Sequence, residues 1–246
     1  MNGVENLWSY LSATPLLWLT TTILAYLAAD FSARRLGYPP WANPVLLAIL
    51  LIAPLLWVTR TDYAAYFEGA QFIHFLLGPA TVALAVPLWD NRETIRHSVA
   101  PILMALLVGS IVAAGSAIIL ARGFGLPDEV ILSLAPKSTT APVALGISEA
   151  VGGVPTLTAV LVILTGIIGA VTVTPLMNLL RIEDWRARGF AVGVAAHGIG
   201  TARAFQVNPI AGAYAGIAMA LNALLTSLIA VSYTHLTLPT INGECW

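Results

Sequence analysis

Charge is what this sequence has least of. Only 9% of its 246 residues are Asp, Glu, Lys or Arg, against about 25% in soluble domains. That scarcity leaves little room for a water-exposed domain. With 58% hydrophobic residues and a mean hydropathy of +0.85, the composition is that of a polytopic membrane protein. A net charge of -1 argues against a nucleic-acid partner. The single cysteine, Cys245, excludes an intrachain disulfide framework and a cysteine metal cage. HExxH, CxxC and GxSxG are all missing, and Gly198 and Gly200 follow no strand of a βαβ unit. The expectation is a protein that is not an enzyme and uses no cofactor or metal. Residues 1–6 hold no basic side chain and so lack the charged start of a signal peptide. The first apolar run is expected to stay in the bilayer.

What the chain does have is a series of apolar runs near the twenty residues needed to span a bilayer. They cover residues 7–29, 41–59, 72–89, 99–120, 154–180 and 207–230. Trp41 and Trp57 suit the two interfaces of the second run. The third is interrupted at Gly78-Pro79. Gly109 and Gly115 in the fourth run are candidates for close helix packing. Behind Pro127, residues 128–134 read as a short amphipathic helix.

Two stretches do not fit a regular membrane helix. Residues 136–153 read PKSTTAPVALGISEAVGG. Pro136 and Pro142 remove backbone donors and disfavour helix just ahead of each ring. Ser138, Thr139 and Thr140 can satisfy the freed carbonyls. Irregular backbone survives at membrane depth only where protein or water satisfies it, so this stretch predicts a broken or re-entrant segment lining a polar cavity. Lys137 belongs to it, and a lysine near the bilayer centre costs about 2.5–3.5 kcal/mol. The second stretch, residues 195–204, reads AAHGIGTARA. His197 and Arg203 are six residues apart and would not share a helix face. A break at Gly198–Gly200 could bring them round.

Arginine placement sets the orientation. With the N-terminus outside and residues 136–153 re-entrant from outside, Arg34, Arg35, Arg92, Arg96, Arg181, Arg186 and Arg188 face the cytoplasm. Arg60 and Arg122 then face out. The run 154–180 therefore crosses opposite to 99–120, each behind a broken segment. Residues 78–84, GPATVAL, match residues 139–145, TTAPVAL, at four of seven positions. The fold expected is an all-α polytopic membrane protein with about six to eight membrane segments, two of them broken or re-entrant, arranged as the inverted repeat of secondary transporters. Residues 1–230 form one membrane domain in this reading. Residues 231–246, VSYTHLTLPTINGECW, look like an in-frame read-through of a sequencing adapter and are set aside as non-native.

Arginine is the usual bidentate partner of a carboxylate. Lys137, Arg203 and the hydroxyls of Ser138, Thr139, Thr140 and Thr201 therefore read as an anion site, with Pro142, His197, Gly198 and Gly200 shaping it. The alternative places Arg203 at a membrane edge, snorkelling to headgroups, and His197 against a backbone carbonyl. Secondary candidates are Gly78, Pro79, Thr81, Glu149 and Asn222. Glu149 could couple protons, but its neighbours Gly152-Gly153 favour an outer loop.

The run Lys137-Ser138-Thr139-Thr140-Ala141-Pro142, then Gly152-Gly153-Val154-Pro155 with Leu157-Thr158-Ala159, resembles the LrgB/CidB family. So does the segment His197-Gly198-Ile199-Gly200-Thr201-Ala202-Arg203-Ala204, followed by Gly212 to Gly216 and Asn222. Ala196 stands where a serine is usual. The resemblance implies two functions. Bacterial members are named as antiholin-like partners of LrgA/CidA that modulate murein hydrolase activity and lysis. Others, with the plastid glycolate/glycerate translocator and pyruvate-uptake systems among them, move small monocarboxylates. Buried cations favour transport of pyruvate, glycolate, glycerate or lactate. The partners implied are the lipid bilayer, a small carboxylate, an LrgA/CidA-type membrane protein and further copies of the chain. The location implied is the bacterial inner membrane, in a multi-pass arrangement.

Overall fold

The structure, a computed structural model, describes residues 14–237 apart from residue 84. Every regular element among the described residues is helical. Two compact units emerge, residues 1–80 and 81–246.

In the first unit, α1 (Pro15–Arg35) packs on α2 (Pro44–Thr59) and on α3 (Tyr63–Phe75). Sequence fixes the ends. Asn43 caps α2 by accepting from the Val45 and Leu46 amides at 2.9 and 3.2 Å, and Pro44 fits the first turn, where no amide donor is needed. Gly69 lets α1 and α3 touch: a Cβ there would fall 2.2 Å from the Pro15 carbonyl oxygen. Trp18 is buried beside it, edge-on to Tyr66 at 6.0 Å.

The expected third span is in pieces: α3 ends at Leu76, then α4 (Leu77–Ala83) and α5 (Ala85–Asp90) follow. The interruption falls at Leu76 and not at Gly78-Pro79. Pro79 sits in the first turn of α4, where its missing amide costs nothing. The Thr81 side chain lies outside the described ones.

The second unit continues with α6 (Arg92–His97), α7 (Val99–Gly123), α8 (Asp128–Leu134), α9 (Ala141–Val151), α10 (Pro155–Leu179), α11 (Trp185–Val207) and α12 (Pro209–Thr237). Among the described residues, four helices are long and apolar enough to cross a membrane: α1, α7, α10 and α12 up to Ser232. Two shorter apolar helices, α2 and α9, accompany them. α12 runs without a break past Ala230 to Thr237. Residues 238–246, the rest of the tail set aside above, lie outside the described residues.

Two segments double back. The backbone leaves helical geometry between Leu134 and Ala141, so residues 136–153 are not one helix. A Cβ on Gly153 would fall 2.5 Å from Ser148 Oγ and 3.0 Å from the Ser133 amide nitrogen, so beyond the turn at 135–140 the far end of α9 returns to the last turn of α8. Gly152, at φ 86, ends α9, and the Gly153 amide closes on the Ser148 carbonyl at 2.7 Å.

The second reversal is inside α11. Ala196 (φ -129, ψ 18) and His197 (φ 40, ψ -137) are non-helical. A Cβ on Gly200 would lie 3.3 Å from the Val192 carbonyl oxygen, whereas residues eight apart on a straight helix are about 12 Å apart. The bend expected at Gly198–Gly200 is therefore at Ala196–His197. His197 takes the positive φ at this bend, and Gly200 lets the returning arm touch the outgoing one.

α12 then runs beside the first arm of α11. Cβ atoms on Gly189 and Gly193 would fall 2.1 and 2.2 Å from the Ala211 and Ala215 carbonyl oxygens. Small residues allow this approach of backbones. Gly109 of α7 is likewise a contact position, 3.2 Å from Val194, while Gly115 faces nothing within 4 Å.

Candidate functional site

α10 orders the site, because its contacts follow one another along its length. Near its start, Thr158 Oγ1 donates to Ser148 Oγ at 2.7 Å, and lies 3.1 Å from the Ser133 carbonyl. At its middle, the Val162 carbonyl meets His197 Nε2 at 2.9 Å. Near its end, Asn178 Oδ1 accepts from the Arg188 guanidinium at 2.7 Å. The α8–α9 hairpin therefore enters from one end of this unit and the α11 hairpin from the other. Their tips meet between.

Asn222 of α12 ties the tips together. Its side-chain amide donates to the Ser138 carbonyl and to the Val194 carbonyl, each at 3.3 Å. Its Oδ1 accepts from Ser110 Oγ of α7 at 2.7 Å. Asn222 is buried, so each of these bonds replaces one that water would otherwise supply.

The first tip carries Lys137, Ser138, Thr139 and Thr140. Lys137 Nζ donates to Ser138 Oγ at 3.3 Å. Thr139 is 2% exposed, and its hydroxyl, like that of Thr140, has no hydrogen-bond partner among the described residues. Thr140 stands at the N-cap of α9, yet its side chain does not cap the helix. Pro142 occupies the first turn. The first intrahelical bond reported there runs from the Ala144 amide to the Thr140 carbonyl at 2.8 Å, so the amides of Ala141 and Val143 are donors without an intrahelical acceptor. Hydroxyls, amides and a positive helix end thus converge beside a lysine. That is the chemistry of an anion site.

The second tip is held more tightly. The His197 ring lies against Gly166, where a Cβ would fall 2.6 Å from Cε1. The Thr201 hydroxyl donates to the His197 carbonyl at 2.8 Å and so faces its own helix. Gly198 is exposed and Gly200 buried against Ala196. The placement of His197 is the carbonyl-satisfied alternative weighed above.

Arg203 is elsewhere. It is buried in a recess lined by Val173, Thr174, Trp185, Arg188 and Val192, among others, at the end where α11 begins. Its guanidinium lies 3.5 Å from Gln206 Oε1. Lys137 does not line that recess. Lys137 stands on the tip that Asn222 ties to Val194, three residues before His197, and not in the recess of Arg203. Glu149 is exposed in the last turn of α9. Gly78 and Pro79 belong to α4, in the stretch where the two units divide.

Sequence reading assigned no site role to Ser110 or to the buried set Ser133, Ser148 and Thr158. Each is a small hydroxyl residue in an apolar run, a signal too common to single out. No group of three or more metal-binding side chains occurs among the described residues.

The description "LrgB-like family" belongs to the family model that matches residues 22–236. Curated relatives match across most of their length. The uncharacterized protein YxaC of Bacillus subtilis is 37% identical over 206 residues, 84% of this chain and 89% of that protein. The uncharacterized protein YwbG of the same organism is 34% identical over 209 residues, 85% and 92% of the two chains. A Staphylococcus aureus protein named holin-like protein CidB is 34% identical over 215 residues, 87% and 93%. No solved structure matches.

Proposed function

The chain belongs to the LrgB-like family, and from that premise we propose that it is a carrier of small monocarboxylates with its site at the two hairpin tips. The observation that carries this reading is the buried, unpartnered Thr139 hydroxyl beside Lys137 at the start of α9. A protein that only oligomerises in a membrane has no use for a lysine and orphaned donors at that depth. A carboxylate satisfies both: its charge offsets Lys137 and its oxygens accept from Thr139, Thr140 and the α9 amides.

In this reading the two hairpins are re-entrant from opposite faces of the bacterial inner membrane. The repeat unit is a hairpin followed by a span: α8, α9 and α10 form one copy, and α11 with α12 the other. That pairing replaces the one suggested by GPATVAL and TTAPVAL. Two discontinuous helices meeting near mid-membrane, with a half-helix start aimed at an anion, is the plan of many secondary transporters. Arginine placement puts the end that carries Arg186 and Arg188 in the cytoplasm. Arg203 then serves that mouth and not the central site. We keep residues 1–230 as one membrane domain and 231–246 as foreign to it. No enzymatic step is assigned.

The second reading follows from the name of the staphylococcal relatives, holin-like protein CidB. It makes this chain a regulator of lysis that works with an LrgA/CidA-type partner. One experiment separates the two. The purified chain in proteoliposomes, with and without such a partner, is offered labelled pyruvate, glycolate, glycerate and lactate, and a trapped dye reports leakage. Saturable uptake of a carboxylate with dye retained is the result expected of a carrier. Unselective dye release with no saturable uptake is the holin-like result and would replace the proposal.

A further inference from the structure

Behind the first tip lies a small void of about 20 Å³, bounded by Ser110, Ser138, Thr139, Asn222 and Thr226, with Ala113, Ala114, Ala135 and Pro136 completing its wall. A void of this size admits one water-sized sphere. Its polar groups are those of hard oxygen ligands, with no sulfur or imidazole among them.

The hydrogen bonds around the void decide what it can hold. Ser110 spends its hydroxyl proton on Asn222 Oδ1 at 2.7 Å. Thr226 spends its own on the Asn222 carbonyl at 2.7 Å. Asn222 directs its amide at the Ser138 and Val194 carbonyls. Ser138 Oγ already accepts from Lys137. With those protons committed, Ser110 and Thr226 offer only lone pairs to a further ligand. The Thr139 hydroxyl is 2% exposed and unpartnered, and it joins them. An anion would meet the lone pairs of Ser110 and Thr226 here, with uncommitted protons only on Ser138 and Thr139. A cation would find oxygens already turned to receive it.

We propose that this void binds a dehydrated sodium ion between the first hairpin tip, α7 and α12. The wall contains no carboxylate, and Lys137 stands on the same tip, so the cation is weakly held alone. An anion beside Lys137 supplies the missing negative charge, and each ion then raises the affinity of the other by one factor. In this part the inference rests on the carrier reading. The site itself does not.

Two measurements keep the claims apart. Thermal unfolding of the full chain in detergent is followed in sodium, potassium and choline chloride at equal ionic strength. A saturable rise in Tm with sodium alone is expected. Thr139→Val, which keeps shape and removes the hydroxyl, and Ser110→Ala should each shift the sodium dependence by about tenfold or more, as losses around metal sites do. If sodium acts no differently from choline, the void holds water only and the proposal is overturned. If both variants keep the wild-type sodium response, the site is elsewhere and the proposal is equally overturned. Uptake of labelled pyruvate in the same three salts addresses the carrier reading. Saturable uptake that is indifferent to sodium, with no sodium effect on Tm, removes the cation site and leaves the carrier. No uptake in any salt, with the sodium-specific Tm shift lost in Thr139→Val, removes the carrier and leaves the cation site.

Discussion

His197 Nε2 lies 2.9 Å from the Val162 carbonyl oxygen, with its ring laid over Gly166 of the same helix. This contact holds a histidine at φ 40, a backbone region that side chains with a Cβ rarely occupy. Such a conformation persists only where its surroundings over-determine it. Here α10 does so, and the α11 hairpin is pinned at its tip against a helix that reaches both ends of the unit.

Lys137 and Arg203 should separate functionally. Lys137→Ala is expected to lower carboxylate uptake by about 10- to 150-fold, the equivalent of a lost charged hydrogen bond of about 1.5–3 kcal/mol. Arg203→Ala, lining the recess near Trp185, should retain saturable uptake with a smaller loss. Initial rates in proteoliposomes over a range of substrate concentrations decide this. Equal abolition by both variants would restore a shared site.

Asn222→Ala should destabilise the protein strongly. It leaves the buried carbonyls of Ser138 and Val194 without their donor and frees the Ser110 hydroxyl. Each orphaned buried group costs about 1–3 kcal/mol. Thermal unfolding in detergent should show a fall in Tm. An unchanged Tm would mean that Asn222 is not the tie between the tips.

Two glycine substitutions should have opposite signs. Gly193→Ala places a methyl 2.2 Å from the Ala215 carbonyl oxygen and must push α11 from α12. Gly115→Ala meets nothing within 4 Å and should gain about 0.5–1 kcal/mol from helix propensity. Paired unfolding measurements on the two variants test the packing directly.

Asp184 should set part of the acid limit. It caps α11 through the Arg186 amide at 2.8 Å and pairs with the Arg186 side chain, which together hold its carboxyl down at about 2. A depressed carboxyl contributes stability above its ordinary pKa, and that contribution is lost as pH falls through the folded value. The loss therefore falls between the ordinary 3.8 and about 2. Asp184→Asn should flatten Tm against pH in that window. A curve parallel to wild type would contradict the pairing.

Topology can be read by labelling. Ser98 and Asp184 line one recess, so the neighbouring exposed residues Glu93 and Glu183 belong to the same end. In a Cys245→Ser background, Glu93→Cys and Glu183→Cys should react with an impermeant reagent from one side of the membrane. Asp128→Cys should react from the other. Labelling of all three from one side would remove the re-entrant arrangement.

The sequence by itself determined the class of protein, because so little charge and so many long apolar runs admit few folds. It also determined one place where the backbone must break, since Pro136, Pro142 and the hydroxyls between them cannot continue a membrane helix, whereas the breaks expected at Gly78-Pro79 and Gly198–Gly200 fall a few residues earlier. The short helix Asp128–Leu134 was legible for the same local reason, with Pro127 ahead of it. Composition could not say which residue takes a strained turn. Glycine is the cheap choice, yet His197 adopts it because Val162 and Gly166, more than thirty residues earlier, hold its ring. Nor could spacing say that the tip bearing Lys137 is tied through Asn222 to Val194 while Arg203 lies one hairpin arm away. That partition depends on two chain reversals from opposite ends, and a reversal is a matter of which helix lies alongside. Only packing of α10 and α12 against both hairpins decides it, through contacts that no local pattern encodes.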